Sequence, residues 1–396
     1  MMTTSKPLGL YVHIPFCLAK CHYCDFLSFS GTTHADQALY IKYLIAELDW
    51  YGQGHGRAGG EPINTRDWLV DTLFIGGGTP SLLSDSLIQD LMHGIARNFN
   101  LTPDCEITME SNPRTLNLDK LKAYSNMGIN RLSMGLQSLN PDLLALMGRI
   151  HTPDDFMRNY HEARISGFKN INVDLMFGIP GQSLADWQHT LQAVIALSPE
   201  HISFYGLKIE EGTPFFTMRE EKKWQEIGDD LDRAMYALAV RELSMLNPES
   251  GQSRYERYEL SNAARKGFAC RHNLKYWTMA EFLGVGLGAH SYINSERFSV
   301  VTDLAAYEKP MGEQIVWRHL NTVHDEISEY IFTGMRRIAG LSFKDYENRF
   351  GEPIYNRFEQ QILKLTRDGL IVLTDGGMRL SPRGIDLSNF VLSEFV

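Results

Sequence analysis

Three of the chain's five cysteines are crowded into one short segment, HIPFCLAKCHYCDF at residues 13–26. Cys17, Cys21 and Cys24 follow a C-x3-C-x2-C spacing, with aromatic residues on both sides of them. Thiolates are soft ligands that suit zinc, copper(I) and iron–sulfur clusters. A single loop that carries three of them predicts a metal or redox centre.

Four kinds of site compete for these thiols. A structural zinc site needs four ligands, so His13 or His22 would have to complete it. A disulfide leaves one thiol over, and a thioredoxin-type pair explains Cys21 and Cys24 but not Cys17. A 4Fe-4S cluster held by three thiolates uses all of them and leaves one iron open to a small molecule. The spacing favours the cluster, while the other three alternatives stay open.

The spacing, with Tyr23 before the last cysteine, resembles the signature of the radical S-adenosylmethionine (SAM) superfamily. In that family the open iron binds the amino and carboxylate groups of SAM. An electron from the cluster then cleaves SAM into methionine and a 5′-deoxyadenosyl radical. The resemblance therefore implies a 4Fe-4S cluster on Cys17, Cys21 and Cys24, with SAM as its partner.

Composition and charge exclude several other classes of protein. The 396 residues are 43% hydrophobic and 22% charged, with a net charge of −10. No apolar run reaches the length of a membrane span, and no signal peptide is evident. The crowded, odd-numbered cysteines suit a reducing compartment, and the acidic balance argues against nucleic-acid binding. We expect a cytoplasmic protein whose contact with a membrane is peripheral and made through a partner.

Short apolar strands alternate with amphipathic helices from about residue 8 to residue 290. The predicted strand segments are 8–14, 70–83 with its glycine turn, 106–113, 131–138, 170–181 and 201–209, and the helices are 34–51, 118–128, 151–168 and 183–197. This alternation predicts an α/β fold with a parallel sheet and right-handed crossovers. The expected architecture is a partial, TIM-like (β/α) radical SAM barrel with its chemistry at the strand ends.

The motif GGGTP at residues 76–80 follows one of the apolar strands. Glycines let the polar groups of a ligand approach the backbone, and Thr79 is a candidate cap for the next helix. In radical SAM enzymes the equivalent turn contacts the methionine amino group of SAM. The resemblance therefore implicates Gly77, Gly78 and Thr79.

Four polar residues fall in or just after predicted strands: Glu110, Gln137, Arg149 and Asp174. Each has an ordinary interpretation as a hydrogen-bonded polar residue of the barrel. A buried acid in an apolar strand is costly unless it is paired, which favours a site-facing role for Asp174. Carboxylates suit the ribose diol and the ammonium of SAM, and arginine suits its carboxylate.

Four linked motifs, YVHIPFC, GGGTP, SMGLQS and NVDLMFGIPG, resemble the oxygen-independent coproporphyrinogen III oxidase-like branch of the superfamily. The resemblance extends over nearly the whole chain and implies a set of SAM-lining residues. That set is Tyr11, Tyr23, Gly77, Gly78, Thr79, Glu110, Gln137, Arg149 and Asp174. Some of these positions line a second SAM in the genuine oxidases, so binding of one or two SAM molecules stays open.

Within that branch the chain departs from the genuine oxidases, which decarboxylate two propionates of a tetrapyrrole. Those enzymes have a longer segment before the cysteine loop and a further cysteine soon after it. Here sixteen residues precede Cys17, and Asp25 follows Cys24. The motif H-N-x-x-Y-W at residues 272–277 and the segment GVGLGAHSY at 284–292 are instead similar to a sister group, the HemW-type haem chaperones.

This second resemblance implies a protein that binds haem, passes it to haem-requiring membrane or respiratory proteins, and lacks the oxidase activity. His272 is the expected axial donor, Cys270 and His290 are alternatives, and Tyr276 and Trp277 can stack on the macrocycle. His272 also has an ordinary interpretation, in which it holds a loop by hydrogen bonds. Two other functions stay open: a coproporphyrinogen III dehydrogenase, and a zinc- or nucleic-acid-binding regulator. The sequence also allows a homodimer.

The pattern changes from about residue 300. Residues 325–351 predict helix, turn and helix, and residues 354–395 predict helix, strand, glycine turn, strand and helix. That order is typical of a small helical module with a two-strand wing, similar to a winged helix. We therefore divide the chain into a radical SAM barrel, 1–295, and a C-terminal module, 296–396. The glycine-rich residues 52–65 predict a flexible insertion.

Overall fold

A computed structural model describes residues 6–55, 65, 68–246, 253–309 and 313–396. These residues pack into two units. The first consists of the described parts of Met1–Glu242 and Glu281–His319, and the second of those of Leu243–Ala280 and Leu320–Val396. Of the predicted insertion at 52–65, only residues 52–55 and 65 are among the described residues.

The first unit is built on one long sheet. Its strands are β1 (Lys6–Ile14), β2 (Trp68–Gly77), β3 (Asn100–Ser111), β4 (Arg131–Gln137), β5 (Ile171–Phe177), β6 (His201–Gly206), β9 (Phe282–Val285), β10 (His290–Ile293), β11 (Glu296–Val300) and β12 (Ile315–Leu320). Strands β1 to β6 pair in parallel in chain order, and β9 pairs in parallel with β1. Strands β10 and β11 continue the sheet in antiparallel pairs. The predicted α/β class and parallel sheet are confirmed.

Helices connect the parallel strands. In the first unit they are α1 (His34–Gly52), α2 (Asp85–Asn98), α3 (Leu118–Asn126), α4 (Pro141–Leu146), α5 (Pro153–Ile165), α6 (Leu184–Leu197), α7 (Pro214–Glu220), α8 (Asp229–Ser244) and α10 (Leu304–Tyr307). Ser183 caps α6 through a capping box. Thr79 is not a side-chain cap: it precedes a 3₁₀ turn, Pro80–Leu82, and Ser84 caps α2 instead.

The second unit contains the helical module with its wing. Its strands are β7 (Glu256–Glu259), β8 (Asn262–Ala264), β13 (Leu341–Ser342), β14 (Ile371–Thr374) and β15 (Gly377–Leu380), and its helices are α9 (Arg271–Trp277), α11 (Val323–Gly334), α12 (Phe343–Phe350), α13 (Tyr355–Arg367), α14 (Pro382–Asp386) and α15 (Ser388–Ser393). Strands β14 and β15 form the predicted antiparallel wing. The boundary that the sequence predicts between the barrel and the C-terminal module, between residues 295 and 296, falls between β10 and β11. It stays a prediction.

The parallel strands are apolar on both faces because helices cover one side and the barrel interior fills the other. Every residue of β4 is buried, and β1 and β5 are nearly as enclosed. Parallel strands end at one common edge, which is where an α/β sheet places its ligands. The cysteine loop, the glycine turn and Gln137 all follow or end strands at that edge. In the part of the chain that is described, no helix has the length and apolarity needed to cross a bilayer.

Candidate cluster and cofactor site

The three predicted cysteines lie in the loop that follows β1. Cys17, Cys21 and Cys24 are half-exposed, and none of them forms a disulfide. The amide N–H of Cys24 donates to Cys21 O at 3.2 Å, which turns the loop back on itself. Burial raises the pKa of the Cys17 thiol and raises that of Cys24 to about 11. Both must lose a proton to bind a metal, so metal loading releases protons here.

The two histidines of this segment differ in how their ring nitrogens are engaged. His13 Nδ1 lies 3.0 Å from Tyr11 Oη, and His13 Nε2 lies 2.9 Å from Leu27 O. His22 Nδ1 lies 2.8 Å from Leu146 O. Within the described ranges, no three His, Cys, Asp or Glu side chains converge on a point that would suit one metal ion. With both ring nitrogens engaged, His13 is a poor zinc ligand, and the dispersed thiols suit a cluster, which spreads its thiolates over separate irons.

The cysteine loop is anchored on an apolar cluster beneath it. The ring of Tyr23 packs against the buried residues Leu143, Leu144, Met147, Met176, Ile179 and Phe215. The backbone N–H of His22 donates to Met147 O, and the N–H of Phe215 donates to His22 O, each at 2.9 Å. Burial raises the pKa of the Tyr23 hydroxyl. Tyr23 therefore anchors the loop on this apolar cluster, and it is also one of the residues predicted to line SAM.

The glycine turn after β2 packs closely against the end of β1, just before the cysteine loop. Gly77 has a φ of 111°, and a Cβ placed there would lie 2.5 Å from the His13 ring. A Cβ on Gly78 would lie 2.8 Å from Phe16 O. Only glycine fits both positions without displacing the His13 ring or the Phe16 backbone, which lie beside the cysteine loop.

The amide hydrogens of this turn are all used inside the protein. The N–H groups of Gly77, Gly78 and Thr79 donate to Glu110 Oε2, Ile14 O and Phe16 O, at 2.9, 2.8 and 2.7 Å. The backbone of the turn can therefore offer a ligand carbonyl oxygens but no free amide hydrogens. Carbonyl oxygens accept hydrogen bonds, which suits an ammonium group such as that of SAM.

Thr79 and Arg149 both reach sulfur atoms of the cysteine loop. Thr79 Oγ1 lies 3.5 Å from Cys17 Sγ, and Arg149 Nη1 donates to Cys21 Sγ at 3.6 Å. Asn112 lies between them: its Nδ2 donates to Thr79 Oγ1 at 2.7 Å, and its Oδ1 accepts from Arg149 Nη2 at 2.5 Å. The sequence analysis missed Asn112, although it directly follows the end of β3 in ESNP.

Glu110 and Asp174 form a pair of carboxyl groups inside the barrel. Asp174 Oδ2 accepts from Ser133 Oγ at 3.0 Å, and Asp174 Oδ1 accepts from Asn172 Nδ2 at 2.8 Å. Burial raises the pKa of both carboxyls, and the negative charge of Asp174 helps to bring that of Glu110 to about 8. Such perturbed carboxyls are typical of functional sites.

Two more predicted residues lie at strands of the first unit. Gln137 ends β4 and has a φ of 68°, a left-handed conformation that costs energy for any residue other than glycine or asparagine. Tyr11 lies on β1, where its ring stacks near Phe74 at a centroid distance of 6.2 Å. Strained residues of this kind are common at functional sites, and Gln137 lies at the edge of the sheet where the strands end.

His272 lies in α9, in the second unit. Its side chain is buried, with 1% exposed, and its Nε2 lies 2.9 Å from Tyr276 Oη. Cys270, just before α9, is also buried, whereas His290 is exposed on β10. The ring of Trp277 lies under the Arg336 guanidinium at 4.7 Å.

Comparisons with known proteins agree with this fold. Residues 11–194 match the Radical SAM superfamily, and residues 321–387 match the HemN C-terminal domain. A heme chaperone HemW from Bacillus subtilis is 33% identical over 98% of each chain, and one from Escherichia coli is 37% identical over 74% of this chain and 72% of its own. The solved structure of coproporphyrinogen III oxidase (HemN) from Escherichia coli, at 23% identity, covers 98% of this chain and 90% of its own with a TM-score of 0.81.

The fold and the cysteine loop define a radical SAM protein with a HemN-type C-terminal domain. Within that superfamily, the chain belongs to the HemW family, in the oxygen-independent coproporphyrinogen III oxidase-like branch. Membership in the superfamily implies a 4Fe-4S cluster and SAM. The likeness to HemN establishes the fold.

The residues present fit both groups. Three unpaired thiols in one loop are the donor set that a three-thiolate cluster needs. Arg149 Nε is buried and has no hydrogen-bond partner, so this N–H group can donate to a ligand bound beside the cysteines. An unsatisfied buried donor is costly, which suits an acceptor such as a carboxylate of a bound ligand.

Proposed function

We propose that this protein is a haem chaperone, which binds haem together with a 4Fe-4S cluster and SAM and delivers haem to haem-requiring respiratory proteins. The observation that carries the proposal is the 33% identity to a protein named heme chaperone HemW, over 98% of both chains. The H-N-x-x-Y-W motif at residues 272–277 supports it. The protein acts in the cytoplasm and reaches membrane-bound acceptors through protein contacts.

Cys17, Cys21 and Cys24 would hold the cluster, and the glycine turn with Glu110, Gln137, Arg149 and Asp174 would hold SAM. When bound, the cluster supplies the electron that cleaves SAM. The protein's own groups position the ligands: the turn carbonyls and Glu110 face the ammonium side, and Arg149 provides a cation for a carboxylate. Tyr11 and Tyr23 complete the lining.

His272 is the proposed axial donor to haem. In the structure its Nε2 lies 2.9 Å from Tyr276 Oη, so coordination of iron through Nε2 has to break this contact. An exchange of this kind suits a haem carrier, because the Tyr276 hydroxyl can form its hydrogen bond with His272 again when haem leaves. Trp277 ends the same short helix and supplies an aromatic ring for stacking on the macrocycle.

Haem titration tests this proposal. Purified protein should retain haem through gel filtration and shift its Soret band, and His272→Ala should weaken binding. Tyr276→Phe should bind as well or better, because it removes the hydroxyl that contacts Nε2 of His272. His290→Ala tests the alternative donor and is expected to behave as wild type. If the wild-type protein does not retain haem, the chaperone proposal is wrong.

Delivery and the oxidase reaction need separate assays. Haem-loaded protein mixed with membranes that contain haem-depleted respiratory enzymes should lose its Soret band as enzyme activity returns. Incubation with coproporphyrinogen III, SAM and a reductant should release no carbon dioxide. Robust formation of protoporphyrinogen would replace the proposed function with the dehydrogenase.

A further inference from the structure

A continuous chain of hydrogen bonds joins two of the three cluster cysteines through side chains of the barrel. It runs from Cys17 Sγ to Thr79, then to Asn112, then to Arg149, and returns to Cys21 Sγ. Asn112 is the middle member and contacts neither sulfur itself. Its amide is therefore placed to act on the sulfurs only through its two neighbours.

The donors and acceptors along this chain allow one arrangement. Arginine has only donors, so the oxygen of the Asn112 amide must face Arg149. The amide nitrogen then faces Thr79, and the Thr79 oxygen must accept from it. A hydroxyl has a single hydrogen, which is left for Cys17 Sγ, and a thiolate there can only accept. Asn112 thus fixes the direction in which the Thr79 hydroxyl points.

The same amide also holds the guanidinium of Arg149. Nη2 is shared between Asn112 Oδ1 at 2.5 Å and Gly135 O at 2.6 Å, and Nη1 is then directed at Cys21 Sγ. Four residues, Cys21, Thr79, Asn112 and Arg149, line the same pocket. They are therefore neighbours of a ligand space as well as of the cysteine loop.

We propose that Asn112 is a positioning residue that sets the reduction potential of the cluster, by aiming the Thr79 hydroxyl at Cys17 and the Arg149 guanidinium at Cys21. Hydrogen bonds and positive charge at cluster sulfurs stabilise the reduced cluster, which carries more negative charge. Removing the Asn112 amide frees the Thr79 hydroxyl to turn away and takes one of the contacts that hold Arg149, whose Nη2 keeps its bond to Gly135 O. The cluster then becomes harder to reduce. The inference rests on the cluster part of the proposed function and does not depend on haem.

The test is a redox titration, followed by electron paramagnetic resonance without SAM, on reconstituted wild type and variants. At the wild-type midpoint, Asn112→Ala and Thr79→Val should each lower the ratio of reduced to oxidised cluster about tenfold, which is about 59 mV for one electron. The double variant should shift little further than Asn112→Ala, because the Thr79 hydroxyl has already lost its fixed direction in Asn112→Ala. Asn117→Ala is the matched control, since Asn117 only caps α3 through Lys120 N–H at 2.9 Å.

Several results would overturn the inference. A wild-type potential in Asn112→Ala would do so, and so would shifts that add fully in the double variant. If Asn112→Ala loses its cluster, Thr79→Val and Thr79→Ser decide: a lowered potential with valine that serine restores supports the inference, and two unchanged potentials refute it. Iron and sulfide per chain are measured first, because a wild type without a cluster refutes the proposed function instead.

Discussion

Glu110 Oε2 accepts a 2.9 Å hydrogen bond from the amide N–H of Gly77, so the carboxyl at the end of β3 holds the glycine turn at the end of β2. The register of the sheet makes this contact possible, since Ile75 pairs with Met109, the residue before Glu110. Burial raises the pKa of this carboxyl from 4.5 to about 8. Glu110 is therefore mostly protonated at neutral pH until a cation binds beside it.

The first prediction concerns the pH dependence of SAM binding. If the ionised Glu110 faces the ammonium or sulfonium side of SAM, binding must remove its proton below pH 8. We expect the affinity for SAM to rise by up to about tenfold per pH unit up to pH 8 and then to level off. Isothermal titration of the reconstituted protein at several pH values measures this slope.

Glu110→Gln is the control for that slope, because glutamine has no proton to lose. Its affinity should be lower than that of the wild type above pH 8, and its pH dependence should be shallower by the contribution of one proton. Parallel pH profiles in the two proteins would show that Glu110 does not ionise when SAM binds.

The second prediction is the effect of the same carboxyl on stability. The folded protein keeps the Glu110 proton between pH 4.5 and about 8, whereas the unfolded chain has lost it. The folded state therefore binds more protons in this window, and the free energy of unfolding falls as the pH rises through it. Glu110→Gln should remove this part of the decline. Melting temperatures of the two ligand-free proteins at pH 5.5 and 8.5 provide the comparison, and an equal decline in both contradicts the assignment.

The main elements could be predicted because strand and helix periodicities are local. The alternation at residues 8–14, 34–51 and 183–197 corresponds to β1, α1 and α6 within a few residues. The short helix α4 was missed because six residues give little periodicity. Helix α7, Pro214–Glu220, was missed for the same reason.

The site was only partly predictable, because spacing shows residue types and not contacts. The cysteine spacing indicated the metal centre, and the glycine turn indicated a ligand surface beside it. Asn112 was missed because an asparagine before a proline is also typical of a simple turn. Its meaning depends on Thr79 and Arg149, which lie 33 and 37 positions away. Such a relationship exists only once β2, β3 and α4 are packed together.

The third prediction concerns the backbone of the glycine turn. Gly77→Ala places a methyl group 2.5 Å from the His13 ring at a φ of 111°. Strain and overpacking together should lower the stability by about 2–4 kcal/mol. Gly181→Ala is the matched control: its φ is 79°, but no atom lies within 4 Å of the new methyl group, so only about 1–2 kcal/mol should be lost. Thermal unfolding measures both, and equal losses would show that contact with His13 is unimportant.

The fourth prediction separates the cluster cysteines from the others. Cys21→Ala leaves two thiolates in the loop and also removes the sulfur that Arg149 contacts. We expect the reconstituted variant to hold less than about a tenth of the wild-type iron, since two thiolates do not retain a cluster that normally has three. Cys105 is buried in the core with 4% exposure, so Cys105→Ala should cost about 1 kcal/mol of stability and keep the iron. Iron and sulfide analysis, together with absorption spectra at about 400 nm, measures the cluster content of both variants. Full iron in Cys21→Ala, together with loss of iron in Cys105→Ala, would place the metal centre elsewhere in the molecule.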